Sequence, residues 1–92
     1  MKVKLRFFAR FRELLGSDLI LDIAEGTSLT DVVKNIAENN KEGFQTIFDE
    51  NGNFKEFVIV MRNGKRVETV SANTIQTSDG DEIAVFPPVA GG

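Results

Sequence analysis

The 92-residue chain contains no cysteine and no histidine. Without cysteine there can be no disulfide, no thiol nucleophile and no thiolate ligand for a metal. Without histidine there is no zinc site of the His/Cys type and no catalytic pairing of serine or cysteine with histidine. We therefore expect no metal site and no bound cofactor, and we expect that the chain is not an enzyme on its own.

Long apolar runs and glycine-rich phosphate loops are also missing. No stretch approaches the length needed to span a membrane, and residues 1–8 alternate charged with apolar side chains instead of forming a signal peptide. The eight glycines are scattered singly apart from the pair Gly91-Gly92. These features predict a soluble, cytoplasmic protein without a membrane partner.

Charge is distributed unevenly along the chain. Residues 1–12 carry five basic side chains and no acid, whereas residues 13–56 carry ten acids against three lysines. Because Lys2, Lys4 and Arg6 alternate with apolar residues, the basic segment is typical of the solvent-facing side of a strand. No aromatic stacking motif accompanies it, so we expect no nucleic-acid partner.

Hydrophobic periodicity predicts one long helix and five strands. Ser28 is a typical N-cap, and the helix that follows carries an apolar stripe from Leu29 to Ala37. A shorter helix, Ala9–Leu15, is ended by Gly16. The predicted strands are Lys2–Phe8, Leu19–Ile23, Phe57–Arg62, Lys65–Glu68 and Glu82–Phe86.

This order predicts an α+β domain, a mixed sheet of about five strands with one main helix packed on one face. The first and last strands would lie side by side in the centre, as in the β-grasp, or ubiquitin-like, fold. Residues 41–56 are less regular, although Phe44, Ile47 and Phe48 have the spacing of one helical turn. Acids and amides alternate within residues 49–53 as in a calcium loop, but Phe54 stands where that loop needs glycine.

The last seven residues, Phe86–Gly92, read FPPVAGG. The two prolines fix their own φ and exclude helix, and the two glycines have no Cβ to obstruct a narrow channel. Residues 87–92 span about 20 Å when extended. We expect a domain over residues 1–86 and a flexible diglycine arm over residues 87–92 that carries the Gly92 carboxylate into a partner's active site. A frayed tail is the alternative.

Two aromatic residues are predicted to form an exposed patch beside the arm. Alternation that turns Val3, Leu5 and Phe7 inward turns Phe8 outward, and the same reasoning turns Phe86 outward. If the first and last strands are neighbours, the two rings meet, and Met61 is a further candidate. The alternative is that Phe8 folds under the following helix into the core. Paired exposed aromatics usually mark a contact surface.

With these features in place, the sequence resembles the MoaD family, the small sulfur-carrying subunits of molybdopterin synthase, and especially the small archaeal modifier proteins. The resemblance rests on Val3–Leu15 (VKLRFFARFRELL), on Arg62-Asn63-Gly64, on residues 79–82 (DGDE) and on Phe86–Gly92. Two departures are the longer segment over residues 41–56 and Arg66, which stands where bacterial members tend to place an apolar contact residue. Both departures fit the archaeal branch better.

The resemblance implies a sulfur carrier. An adenylating activating enzyme (of the MoaB, MoeB, ThiF or UbaA kind) would use Mg-ATP to activate Gly92, and the resulting thiocarboxylate would donate sulfur in a MoaE-like large subunit that builds the molybdenum or tungsten cofactor. Alternatively, lysines of target proteins would attack the activated Gly92 and form isopeptide bonds, and one protein can serve both roles. A third reading is a β-grasp interaction module whose arm is never activated. The implied reacting residues are Gly91 and Gly92, and the implied partner-binding residues are Phe8, Phe86, Pro87, Pro88, Val89 and Ala90.

Overall fold

In a computed structural model that describes residues 1–88, the chain forms a five-stranded mixed sheet with helices packed on it. The strand order is β2-β1-β5-β3-β4; β1 and β5 pair in parallel and the other neighbours are antiparallel. The predicted β-grasp arrangement, with the first and last strands adjacent in the centre, is confirmed. The elements are β1 (Lys2–Phe7), α1 (Ala9–Leu15), β2 (Asp18–Asp22), α2 (Leu29–Ala37), α3 (Lys41–Ile47), β3 (Ile59–Arg62), β4 (Lys65–Val67), a 3₁₀ helix (Thr69–Thr74) and β5 (Glu82–Phe86).

The side chains on the inner face of the central strands β1 and β5 are shielded from water. Val3, Leu5 and Phe7 of β1, and Ile83 and Val85 of β5, are each no more than 1% exposed. This alternation is the one that the sequence predicts for both strands. Burial of these side chains is the main favourable contribution to the free energy of folding, at about 1.5–3 kcal/mol for each one.

The main helix α2 begins as predicted. The Ser28 hydroxyl accepts a hydrogen bond from the Asp31 N–H at 3.1 Å, which satisfies one of the free donors of the first turn. Leu29, Val32 and Val33 are buried against the sheet. The N-cap and the apolar stripe therefore place α2 across the inner face.

A further helix, α3, lies within the less regular segment, where Phe44, Ile47 and Phe48 have the spacing of one helical turn. The Asn40 side chain caps it by accepting from the Gly43 N–H at 2.9 Å, and its amide donates to the Leu14 carbonyl at 3.1 Å. Gly43 permits close packing on α1, because a Cβ there would lie 2.8 Å from the Leu15 Cδ2 atom. The inner face is therefore covered by α2 with help from α1 and α3. No helix within residues 1–88 has the length and apolarity to cross a membrane.

A polar cluster lies at the start of β5. The Asp81 carboxylate, in a residue that is only 5% exposed, accepts from the Arg62 Nε and the Asn63 Nδ2, both at 2.9 Å, and from the Ser78 N–H at 2.8 Å. Burial raises the pKa of Asp81, but the three donors together lower it by more, so its pKa lies below the ordinary value for aspartate.

Candidate functional site

The predicted arm follows directly after a central strand, β5. Phe86, the last residue of β5, lies opposite Ile59 of β3, and on the other side the Phe8 N–H donates to the Val85 carbonyl at 3.2 Å. Pro87 is half-buried and Pro88 is exposed. The arm therefore leaves from backbone that is hydrogen-bonded on both sides. The predicted site residues Val89, Ala90, Gly91 and Gly92 lie outside the described residues.

Phe8 and Phe86 are brought together as the alternation predicts. Their ring centroids are 4.3 Å apart, the rings are inclined by 11°, and both side chains are half-buried. Stacking of this kind contributes about 0.5–1.5 kcal/mol beyond the area buried. The alternative place for Phe8, in the core under α1, is taken by Phe11, which is 1% exposed.

The turn of the chain after Phe8 holds this ring at the end of β1. Phe8 has extended backbone (φ −126°, ψ 155°), and Ala9, with φ 53°, then adopts the left-handed region that non-glycine residues seldom occupy. The Phe8 carbonyl accepts from the Phe11 N–H at 3.2 Å as α1 begins. Such backbone strain persists only where surrounding structure enforces it. The strand-to-helix corner therefore limits the freedom of Phe8.

Three more apolar side chains extend the stack into a continuous surface. Ala84 and Met61 face each other across β5 and β3, and Ile59 pairs with Phe86. All are half-buried. We call the five residues Phe8, Ile59, Met61, Ala84 and Phe86 the outer apolar patch.

Ile59 is the member of this patch that sequence reasoning missed. The run from Phe57 to Met61 is apolar at every position, so its alternation does not show which side faces water. The available signal is Arg66: it pairs with Met61 across the Asn63-Gly64 hairpin, and directly opposed residues share a face. A charged residue there places Met61, and hence Ile59, on the outer side.

One charged group supports the aromatic stack. The Arg6 guanidinium lies 5.2 Å from the centre of the Phe8 ring, within the range of a cation–π interaction. Its Nε donates to the Asp18 Oδ1 at 3.0 Å and its Nη1 to the Glu82 Oε1 at 3.1 Å. Hydrogen bonds to Asp18 and Glu82 raise the pKa of Arg6 further above its already high ordinary value. Arg6, on β1, thus connects β2 and β5 through its two ion pairs, next to the stacked rings.

The described part of this surface is apolar and has charged side chains beside it. A partner could desolvate these apolar side chains. The charged groups beside them include Arg6, which is paired with Asp18 and Glu82, and Arg66, which lies opposite Met61. A groove of about 530 Å³, lined by Thr30, Phe54, Arg66 and Val70 among others, includes none of the predicted site residues. The reacting group predicted for this site, the Gly92 carboxylate, lies outside the described residues.

Comparison with known proteins agrees with this architecture. A family model described as the ThiS family matches residues 5–92. Small archaeal modifier protein 3 of Haloferax volcanii is 37% identical over 93 residues, with both chains covered completely. The molybdopterin synthase sulfur carrier subunit of Aedes aegypti is 34% identical over 97 residues, which cover all of this chain and 90% of that protein. The crystal structure of SAMP1 from Haloferax volcanii matches with a TM-score of 0.84 at 26% identity, again with both chains fully covered.

These matches extend over nearly the whole chain and include the diglycine positions. They confirm the resemblance to MoaD-type carriers and small archaeal modifier proteins that the sequence motifs indicate. The chain belongs to the ThiS family.

Proposed function

We propose that the chain is a cytoplasmic sulfur carrier whose Gly92 carboxylate is adenylated and converted to a thiocarboxylate that donates sulfur for molybdopterin biosynthesis. The observation that supports the proposal is that the family model matches residues 5–92, a range that includes Gly91-Gly92. The Aedes aegypti relative is named as a sulfur carrier subunit of molybdopterin synthase. The chain would act as such a subunit and would not catalyse the reaction alone.

The chemistry explains why a second protein is needed. A carboxylate is a poor electrophile, because resonance and negative charge oppose nucleophilic attack. In an activating enzyme that binds Mg-ATP, an oxygen of the Gly92 carboxylate would attack the α-phosphorus, forming an acyl-adenylate and releasing pyrophosphate. A sulfide equivalent would then displace AMP and leave a thiocarboxylate, an anionic and soft nucleophile. In a MoaE-like large subunit, its sulfur would bond to a pterin carbon, and water would then cleave the bond between this sulfur and the Gly92 acyl carbon and return the carboxylate. The sulfur left on the pterin would form part of the dithiolene that holds molybdenum or tungsten.

Each part of the site has a role in this scheme. The outer apolar patch would bind the partner, and the stacked Phe8 and Phe86 would anchor it at the root of the arm. Pro87 and Pro88 would reduce the conformational entropy that the arm loses on docking. Val89 and Ala90 would lie inside the partner's channel, while Gly91 and Gly92 would fit its narrowest part.

Removal of the reacting group tests the proposal. Deletion of Gly92, or extension by one residue beyond it, should abolish ATP–pyrophosphate exchange with the cognate activating enzyme, because no correctly placed carboxylate remains. Thermal melting should be unchanged, since β5 ends at Phe86. For the wild-type protein with activating enzyme, Mg-ATP and a sulfide source, intact mass should rise by the replacement of one oxygen by sulfur. Full exchange activity in the truncated protein would refute the proposal.

The second candidate function is that of a protein modifier. It is favoured by the 37% identity to small archaeal modifier protein 3 over the full length of both chains. A lysine amine of a target protein would attack the activated Gly92 carbonyl, AMP or another activating group would leave, and an isopeptide bond would form. Both functions share the activation step, and they differ in what accepts the activated end.

A bulky residue in the arm should distinguish sulfur transfer from conjugation to lysine. Ala90→Phe should stop the arm in a closed channel by steric exclusion. If activation survives, sulfur transfer to a large subunit should fail while lysine conjugates persist, because conjugation needs no dedicated cavity. Pyrophosphate exchange, sulfur transfer and conjugate formation are measured on the same preparation, with Ala90→Gly as the control. Equal retention of both activities would show that the arm is never tightly enclosed.

A further inference from the structure

Phe57 differs from every other phenylalanine in the chain. Its side chain is 68% exposed, whereas the other seven phenylalanines are buried or half-buried. The strand predicted to begin at Phe57 begins instead at Ile59, and Phe57 lies in the turn before it. An exposed aromatic ring of this size keeps a large apolar area that a partner could bury.

The local fold does not require an aromatic residue at this position. The Val58 N–H donates to the Lys55 carbonyl at 3.1 Å, which closes a turn that spans Phe57. The Lys55 N–H donates to the Ile47 carbonyl at 2.8 Å, and Val58 is 3% exposed. Backbone hydrogen bonds and the buried Val58 therefore hold the turn in place, and the Phe57 ring is available to a partner.

The register of the sheet places Phe57 at the arm end of the molecule. Ile59 pairs with Phe86, and β3 and β5 are antiparallel. Phe57 precedes Ile59 by two residues, a distance of at most about 7 Å. Because the strands are antiparallel, the chain before Ile59 lies on the side toward which β5 continues into Pro87 and Pro88. Phe57 thus lies at the end of the sheet where β5 leads into Pro87 and Pro88.

Other exposed apolar residues do not share this position. Val70, 88% exposed, lies in the 3₁₀ helix, and Ile20, 66% exposed, lies on the edge strand β2, with β1 between it and β5. Single exposed apolar residues need no functional explanation. Phe57 is distinguished because the register of β3 and β5 puts it at the end of the sheet from which the arm of the proposed reaction extends.

We propose that Phe57 is a contact residue for the adenylating enzyme, and that it sets the affinity of the carrier at the mouth of the channel that receives the arm. The inference rests on the proposed function. We assign Phe57 to the adenylating enzyme because both fates of the arm pass through that enzyme. Its partner surface would be an apolar groove beside the entrance, continuous with the groove that binds the outer apolar patch.

The test compares two exposed apolar residues in the intact chain. Phe57→Ser should raise the KM for the carrier in ATP–pyrophosphate exchange about tenfold, which corresponds to about 1.4 kcal/mol of binding free energy. The kcat should stay close to wild type, because the arm and its carboxylate are intact. Val70→Ser is the matched control and should change neither parameter, and Phe57→Leu should restore most of the affinity. Thermal melting of all three variants should match wild type.

The outcomes separate this inference from the proposed function. If the wild-type protein supports exchange and Phe57→Ser has the KM of Val70→Ser, the Phe57 inference is wrong while the proposed function stands. If Phe57→Ser weakens binding to a MoaE-like large subunit but leaves exchange unchanged, the assignment to the adenylating enzyme is wrong. If the wild-type protein itself gives no exchange, both are refuted.

Discussion

The two faces of the sheet differ in how far their side chains are buried. On the inner face, Phe7 and Val85 are at most 1% exposed and lie in the core beneath the helices. On the outer face, their neighbours Phe8 and Phe86 are half-buried, stacked on each other and uncovered by any element in residues 1–88. Because side chains alternate along a strand, one short sequence can specify the fold on one side and recognition on the other.

The largest expected difference between the two faces is in stability, and it is tested by shortening two adjacent side chains. Phe7→Ala should lower the free energy of unfolding by about 3–5 kcal/mol, because it opens a cavity in the core. Phe8→Ala should cost much less, since only the stack and a half-buried surface are lost. Urea or thermal unfolding of both variants measures the difference. Equal destabilisation would mean that Phe8 belongs to the core and that the patch is misassigned.

The second test measures recognition instead of stability. Phe86→Ala should weaken binding of the activating enzyme or the large subunit by about 1–3 kcal/mol, the usual range for an aromatic anchor. Phe44→Ala is the control, because Phe44 is also half-buried and packs at 5.1 Å on another ring, that of Phe48, but lies on α3. Titration calorimetry with the purified partner compares the two. Equal losses of affinity would remove the special status of the outer face.

The third test compares the contribution to stability of a buried carboxylate with that of an exposed one. The folded-state pKa of Asp81 lies below its unfolded value, so ionised Asp81 stabilises the fold at neutral pH, and this contribution is lost as pH falls through the folded pKa. Asp81→Asn should therefore cost about 1 kcal/mol at pH 7, and the difference from wild type should shrink below about pH 3.9.

The control for Asp81 is Asp22, whose side chain is 74% exposed. Lys2 lowers the pKa of Asp22 as well, but water and salt screen that pair, so Asp22→Asn should have a smaller effect that added salt removes. Unfolding measured from pH 2 to pH 7 at two salt concentrations makes the comparison. A pH-independent loss in Asp81→Asn would contradict the role of the ionised form.

Sequence reasoning succeeded where a pattern was strict. Alternation in β1 and β5 predicted both the core side chains and the meeting of Phe8 with Phe86, and the Ser28 cap predicted the start of α2. It failed where local signals were weak or ambiguous. The helix α3 is short and packs closely on α1 at Gly43 and Leu15, a tertiary contact that no local pattern shows, and Ile59 lies in a run that is apolar at every position. The roles of residues 89–92 remain predictions, since they lie outside the described residues.

The central position of β5 has a consequence for how the molecule is made. Lys4 pairs with Glu82 and Phe7 with Val85. During synthesis, the edge of β1 that pairs with β5 therefore stays uncovered until nearly all of the remaining chain has emerged. Contacts so distant in sequence slow folding, and uncovered strand edges favour aggregation. The arm follows immediately after the strand that completes the sheet. An activating enzyme that must bind both the arm and the outer apolar patch would therefore act only on chains that have finished folding.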